Sequence, residues 1–185
     1  KQAEQRVLVI DRRHAERRLT NFAELLQAVR AALAAARAIA PLQAMYCEER
    51  SLAEQIRLFR AAHLAVAVEG ACLANVLWMK PGAAVIEVGL GASPPHEVLP
   101  KDECGTTYAA VAAASVGVRY YSLLDLSQDF KASRIAVPLA PLHALVAHAL
   151  AQTRQGSGTV TAHASRCGRT RRRQLRGLVE AAAAC

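Results

Sequence analysis

The sequence predicts an α/β fold, a Rossmann-like parallel sheet flanked by helices. Three observations lead there. Short apolar runs rich in β-branched residues recur at 6–10, 63–68, 83–88 and 116–121, as strands buried on both faces do. Segments with helical apolar spacing lie between them, at 22–38, 52–62, 73–78 and 107–115. Most changes of period fall at a turn residue or a helix cap. Strands alternating with helices in this way pair in parallel, and the crossovers cover the sheet.

Residues 6–10 make the first strand, and the charged stretch 11–18 follows as a loop. Thr20 or Asn21 can cap the next helix. Its apolar positions Phe22, Leu25, Leu26, Val29 and Leu33 keep the 3, 4 spacing of one helical face, and Pro41 sets its limit. Residues 44–48 read as a short strand. Ser51 with Glu54 forms a capping-box pattern ahead of a second helix. The strand 63–68 ends in Glu69, Gly70, Ala71 and Cys72, which read as a turn, and a short helix follows. Pro81 and Gly82 make another turn before strand 83–88. The Gly- and Pro-bearing section 89–102 is a loop. A helix at 107–115, a strand at 116–121 and a helix at 141–151 complete the reading.

Composition bounds the function. Apolar residues make up 53% of 185, which excludes a disordered chain. There are three Phe, four Tyr and one Trp, so aliphatic side chains must form the core. Residues 1–152 are nearly balanced, with 16 Lys and Arg against 14 Asp and Glu. Residues 153–185 carry seven Arg against one Glu. The excess charge therefore belongs to a basic, mobile tail, and 1–152 is the folded domain. The five cysteines show no CxxC or Cys/His spacing, so no metal site is expected. Their odd number leaves room for one disulfide or for reduced thiols. No apolar run is long enough to span a membrane, and no targeting signal is present. The chain enters a strand almost at once, which reads as the middle of a longer protein.

Doubly wound sheets bind ligands outside the carboxyl ends of their strands. Three features fall at that edge. The turn Gly70–Ala71–Cys72 leads from a strand straight into a helix, whose first N–H groups suit a diphosphate. Arg12 and Arg17 follow the first strand, with Asn21 beyond, and two guanidiniums there can clamp phosphate oxygens. Glu54 caps its own helix or takes the hydroxyls of a ribose. Asn75 lies on the turn's helix, and Glu87 ends a strand at the same edge. A solvated loop and an ordinary Gly-Ala turn would look the same in isolation. His143 and His148 are five apart, a poor spacing for a metal.

In combination these residues resemble the C-terminal domain of glycosyltransferase family 61. The resemblance rests on Arg12, Arg17 and Asn21 in an Arg-x4-Arg-x3-Asn pattern, followed by Glu24 and Leu25. It continues through Ser51, Glu54, Gln55 and Phe59, then through Glu69 to Asn75, Pro81 and Gly82, and Ile86 with Glu87. The order and spacing carry the specificity, over roughly 6–88, with a fainter echo at Tyr108, Tyr120 and Tyr121.

The resemblance implies the C-terminal half of a GT-B transferase. Such an enzyme moves a sugar, with inversion, from a UDP-linked or other nucleotide-sugar donor to a glycan or glycoprotein. It implies no cofactor and no metal, because basic groups and helix ends stabilise the leaving diphosphate. Arg12 and Arg17 would clamp phosphate, and the N–H groups after Gly70 would form the cradle. Glu54, Asn75 and Glu87 would hold the nucleotide, its ribose or the sugar. An acceptor domain ahead of Arg6 would complete the enzyme, in the Golgi or endoplasmic reticulum lumen. No catalytic base is identified within these residues.

Two positions depart from the family's turn. Glu69 stands where the family has His, and Cys72 where it has a second Gly. Like charges about 4 Å apart repel by roughly 4 kcal/mol at an effective dielectric near 20. Glu69 is thus an altered site or a new base, and an inactive relative that keeps the fold is the alternative reading. A nucleic-acid binder using the arginines of 166–176 is a further alternative, but no stacking aromatics or recognised motif accompany them. Specific nucleic-acid binding is not expected. No GxGxxG follows the first strand, which argues against a dinucleotide oxidoreductase.

Overall fold

The architecture is that of a computed structural model, which describes residues 6–13, 18–90, 113, 115–125 and 134–154. Five parallel strands form the main sheet: β1 (Arg6–Asp11), β3 (Leu42–Tyr46), β4 (Ala62–Val68), β5 (Ala84–Leu90) and β6 (Arg119–Asp125). Their spatial order is β3-β1-β4-β5-β6. The chain steps outward from β1 to β3, then returns past β1 to β4. The winding therefore reverses between β1 and β4, and sheets of this kind bind ligands beyond the carboxyl ends of the strands at such a switch point. Two-residue strands β2 (Arg18–Leu19) and β7 (Arg134–Ile135) pair separately, also in parallel.

Strand alternation splits the core in two. Val7, Val9, Leu64, Val66, Val68, Ile86 and Val88 face one side. They meet helix α1 (Phe22–Ala35) through Leu25, Val29 and Leu33, and helix α3 (Leu139–Arg154) through Leu142, Val146 and Leu150. Leu8, Ile10, Ala65, Ala67 and Val85 face the other side. There they meet Leu58 and Phe59 of helix α2 (Leu52–Ala61), and Leu73 and Val76 of a 3-10 helix (Ala71–Trp78). Burying a side chain such as Phe59 contributes about 1.5–3 kcal/mol. The expected parallel α/β sheet with helices on both faces is the observed fold.

Several boundaries move for local reasons. Helix α1 stops at Ala35, not at 38. Arg37 takes a left-handed φ of 49°, and its N–H donates to Ala34 O while that of Ala38 donates to Leu33 O. This is a Schellman ending, and it closes the helix before Pro41 can act. Strand β3 begins at Leu42 because Pro41 O already accepts from Val7 N–H. Gly117 has a φ of 71°, and the turn it makes delays β6 to Arg119. Helix α3 runs through Arg154, across the 152/153 boundary drawn on composition. The rest of the tail lies outside the described residues, as does most of the helix expected at 107–115. No helix among the described residues is long and apolar enough to cross a membrane.

Candidate functional site at the β1/β4 switch point

Alternation at the end of β1 sends Asp11 and Arg12 to opposite faces. Arg12 reaches from the end of β1 to the turn after β4. Its Nη1 lies 3.5 Å, and its Cζ 3.6 Å, from where a Cβ on Gly70 would stand. A guanidinium thus rests on the residue that opens the 3-10 helix. The first bond of that helix runs from Leu73 N–H to Gly70 O. The N–H groups of Ala71 and Cys72 precede it, and helix starts of this kind attract anions. One cation and one helix start therefore meet at the switch point.

Asp11 does a different job. It is buried, and its carboxylate accepts from Leu19 N–H at 3.0 Å, closing the arginine-bearing loop back onto β2. Burial pushes its pKa above the usual aspartate value. Backbone hydrogen bonds from Leu19 and Arg12, and the charge of Arg18, act against that shift. Arg13 leaves in the direction opposite to Arg12. It stacks over the Tyr46 ring at 4.5 Å and pairs with Glu49 at 2.7 Å. Both partners are about half exposed, so the pair is worth little energetically but fixes direction. Arg17 lies outside the described residues.

Asn21 sits at the N-cap position of α1 but makes no side-chain cap. Its amide donates to Val137 O and accepts from Val137 N–H, both at 2.9 Å. Helix α1 begins without its predicted cap because a tertiary contact takes the amide. Thr20 is likewise engaged, with Oγ1 donating to Ile135 O at 3.1 Å.

Glu54 forms the capping box that the sequence spells. Its Oε2 accepts from Ser51 N–H at 3.0 Å and from Ser51 Oγ at 2.9 Å. Those bonds, with smaller help from Arg50 and Arg57, hold its pKa below the usual glutamate value. Glu87 is buried within β5 and accepts from Tyr120 OH at 2.6 Å. Glu69 lies just before Gly70, and its N–H donates to Val88 O at 3.0 Å. That bond extends the β4–β5 ladder to the residue before Gly70.

Cys72 is joined to Cys47 by a disulfide, with Cα atoms 6.1 Å apart and a sequence separation of 25. Its side chain packs against the core on the α2 side. The side chain that stands where the family has a second Gly therefore points to Cys47. Asn75, nearly buried, donates from Nδ2 to Gln55 Oε1 at 2.8 Å and to Cys72 O at 3.0 Å. Gln55 donates in turn to Cys47 O and Arg50 O, each at 3.0 Å.

The structure thus brings Arg12, Gly70, Ala71 and Cys72 to one edge. It places Asn21, Glu54, Asn75 and Glu87 in contacts internal to the protein. Gln55, Arg13 and the Cys47 partner were not visible as site residues, because each depends on a contact distant in sequence. No group of side chains suited to a metal ion occurs among the described residues. No curated protein matches the chain. Residues 1–86 match the family Glycosyltransferase 61.

Proposed function

We propose, from the match of residues 1–86 to glycosyltransferase family 61, that the chain is the donor-binding half of a GT-B transferase. The donor is a nucleotide sugar, UDP-linked, and the acceptor is a glycan or glycoprotein. The observation that carries this reading is the Arg12 guanidinium lying against Gly70, where the winding reverses between β1 and β4. In this reading Arg12 and Arg17 clamp the diphosphate, and the N–H groups of Ala71 and Cys72 face its oxygens. Asn75 supports that cradle from behind. Glu54 lies at the start of α2 as a contact for the nucleotide or its ribose, Glu87 is held inside β5 by Tyr120, and Asn21 secures the loop's return.

The chemistry follows from charge. In an inverting displacement the acceptor oxygen bonds to the anomeric carbon as the diphosphate departs. Negative charge grows on the departing phosphate, and a guanidinium fixed beforehand stabilises that state more than the ground state. Arg12 can do this without a metal or a cofactor. The acceptor and the base that takes its proton come from a second domain. The Cys47–Cys72 disulfide supports an oxidising compartment such as the Golgi or endoplasmic reticulum lumen.

Calorimetry with UDP and UDP-sugars tests the reading. Arg12→Ala and Arg17→Ala each weaken binding by about 10- to 100-fold, as expected for lost charge-assisted hydrogen bonds of about 1.5–3 kcal/mol. Equal affinity in Arg12→Ala and wild type removes the assignment. Glu69, immediately before Gly70, favours one second reading, a relative that binds the donor without turning it over. UDP binding without sugar transfer or donor hydrolysis in the full-length protein marks that case.

A further inference from the structure

We infer that Gln55 is a positioning residue for the turn at Gly70–Asn75, acting through Asn75 and in parallel with the Cys47–Cys72 disulfide. The inference rests on reading that turn as the diphosphate cradle, and it names what holds the cradle in place.

Gln55 lies in the first turn of α2, yet the cap of that helix is made by Ser51 and Glu54. The Gln55 side chain reaches away from its helix in two directions. Nε2 donates to Cys47 O and Arg50 O, and Oε1 accepts from Asn75 Nδ2. Asn75 Nδ2 also donates to Cys72 O. A continuous chain of bonds therefore runs from the Cys47 carbonyl through Gln55 and Asn75 to the Cys72 carbonyl. Its two ends are the residues that the disulfide joins.

The two ties differ in chemistry and share a purpose. Both fasten the start of the 3-10 helix to the end of β3. The covalent tie stays until two thiol equivalents reduce it. Two electrons and two protons then pass to the two sulfurs, and the reductant leaves as its own disulfide. From that point the amide bridge alone holds the turn. Asn75 is 8% exposed, so loss of Gln55 would leave one N–H of its buried amide unbonded, with only the Cys72 carbonyl still engaged. Parallel ties have a signature: removing one is masked by the other, and removing both is worse than the two separate losses combined.

Four samples test this: wild type and Gln55→Met, each oxidised and each reduced with dithiothreitol. Methionine keeps the length and volume of the side chain and removes the amide. The readouts are UDP affinity by calorimetry and amide hydrogen exchange over residues 71–76. The affinity lost through Gln55→Met is expected to be about fivefold greater in the reduced protein, the worth of one hydrogen bond near 1 kcal/mol. Exchange over 71–76 is expected to be fastest in the reduced variant. Asn75→Leu breaks the same bridge from its other end and takes the place of Gln55→Met should that variant misfold. An equal effect of the substitution in both redox states overturns the inference, as does unchanged exchange in all four samples. Exchange that follows expectation while oxidised wild type takes up no UDP leaves Gln55's role standing and defeats the diphosphate reading.

Discussion

Asn21 grips the backbone of Val137 with both ends of its amide, at 2.9 Å in each direction, across 116 residues of sequence. The pair fastens the entry to α1 onto the segment that leads into α3. It sits beside the β2–β7 pairing and the Thr20 bonds to Ile135, so several contacts lock the same junction. Asn21→Ala leaves one N–H and one carbonyl of Val137 without partners. Orphaned groups of this kind cost about 1–3 kcal/mol each where water cannot reach them. A loss of about 1–3 kcal/mol in urea unfolding is expected. Unchanged stability would mean that the amide is not committed to the fold and is free for a ligand.

Gly70 separates backbone strain from ligand space. Its φ of 164° is extended backbone that any residue adopts. A Cβ there would meet Arg12 at ordinary contact distance, 3.5 Å from Nη1. Gly70→Ala should therefore shift unfolding by no more than about 0.5 kcal/mol. In the proposed donor-binding reading, the added methyl group crowds the guanidinium on the side where it would meet a phosphate oxygen. UDP affinity is expected to fall about tenfold, the loss of one charge-assisted bond. A variant that binds UDP as wild type does, while folding normally, shows that nothing is held between Arg12 and this turn.

Arg37 marks a place where the sequence works against its own fold. It holds a φ of 49° at the end of α1, in a Schellman position that usually takes glycine. A left-handed conformation costs a residue with a Cβ roughly 1–2 kcal/mol, and glycine gives part of that back as chain entropy in the unfolded state. Arg37→Gly is expected to stabilise the protein by about 0.5–1 kcal/mol in thermal or urea unfolding. Destabilisation would show that the arginine side chain makes contacts worth more than the strain.

The legible parts of this fold are those written in local pattern. The apolar runs of β1, β4 and β5 showed their double burial, and Ser51 with Glu54 spelled the cap of α2. The turn at Gly70 and the arginine after β1 were visible because both follow directly from strand ends. What was hidden depends on pairs far apart in sequence. Nothing near Asn21 announces Val137, and nothing near Cys72 announces Cys47. Asn21 was expected as a cap or a donor contact because its local rule ignores a partner 116 residues away. The two-residue strands β2 and β7 carry too little pattern to be read at all. Residues such as Gln55 are missed for a related reason, since a glutamine in the first turn of a helix carries no signal until its partners are known.

Asp11 gives the arginine loop a pH dependence that the sequence does not suggest. Its carboxylate is buried, and desolvation raises its pKa above 3.8, against the hydrogen bonds from Leu19 and Arg12. Arg18 favours the charged form and Glu48 opposes it. A folded-state pKa above the unfolded value means that the folded protein holds this proton more tightly. The contribution of Asp11 to stability is then greatest below about pH 3.8 and declines as pH rises through the folded pKa. Asparagine keeps an oxygen for Leu19 N–H and carries no charge to bury. Asp11→Asn is therefore expected to preserve the loop and to remove this decline, so that its stability gains on wild type as pH rises from 4 towards 7. Urea midpoints measured across that range provide the check. Parallel curves for the two proteins would show that the Asp11 pKa is unshifted, and a variant that falls behind as pH rises would show that the ionised carboxylate, rather than its oxygen alone, holds Leu19 in place.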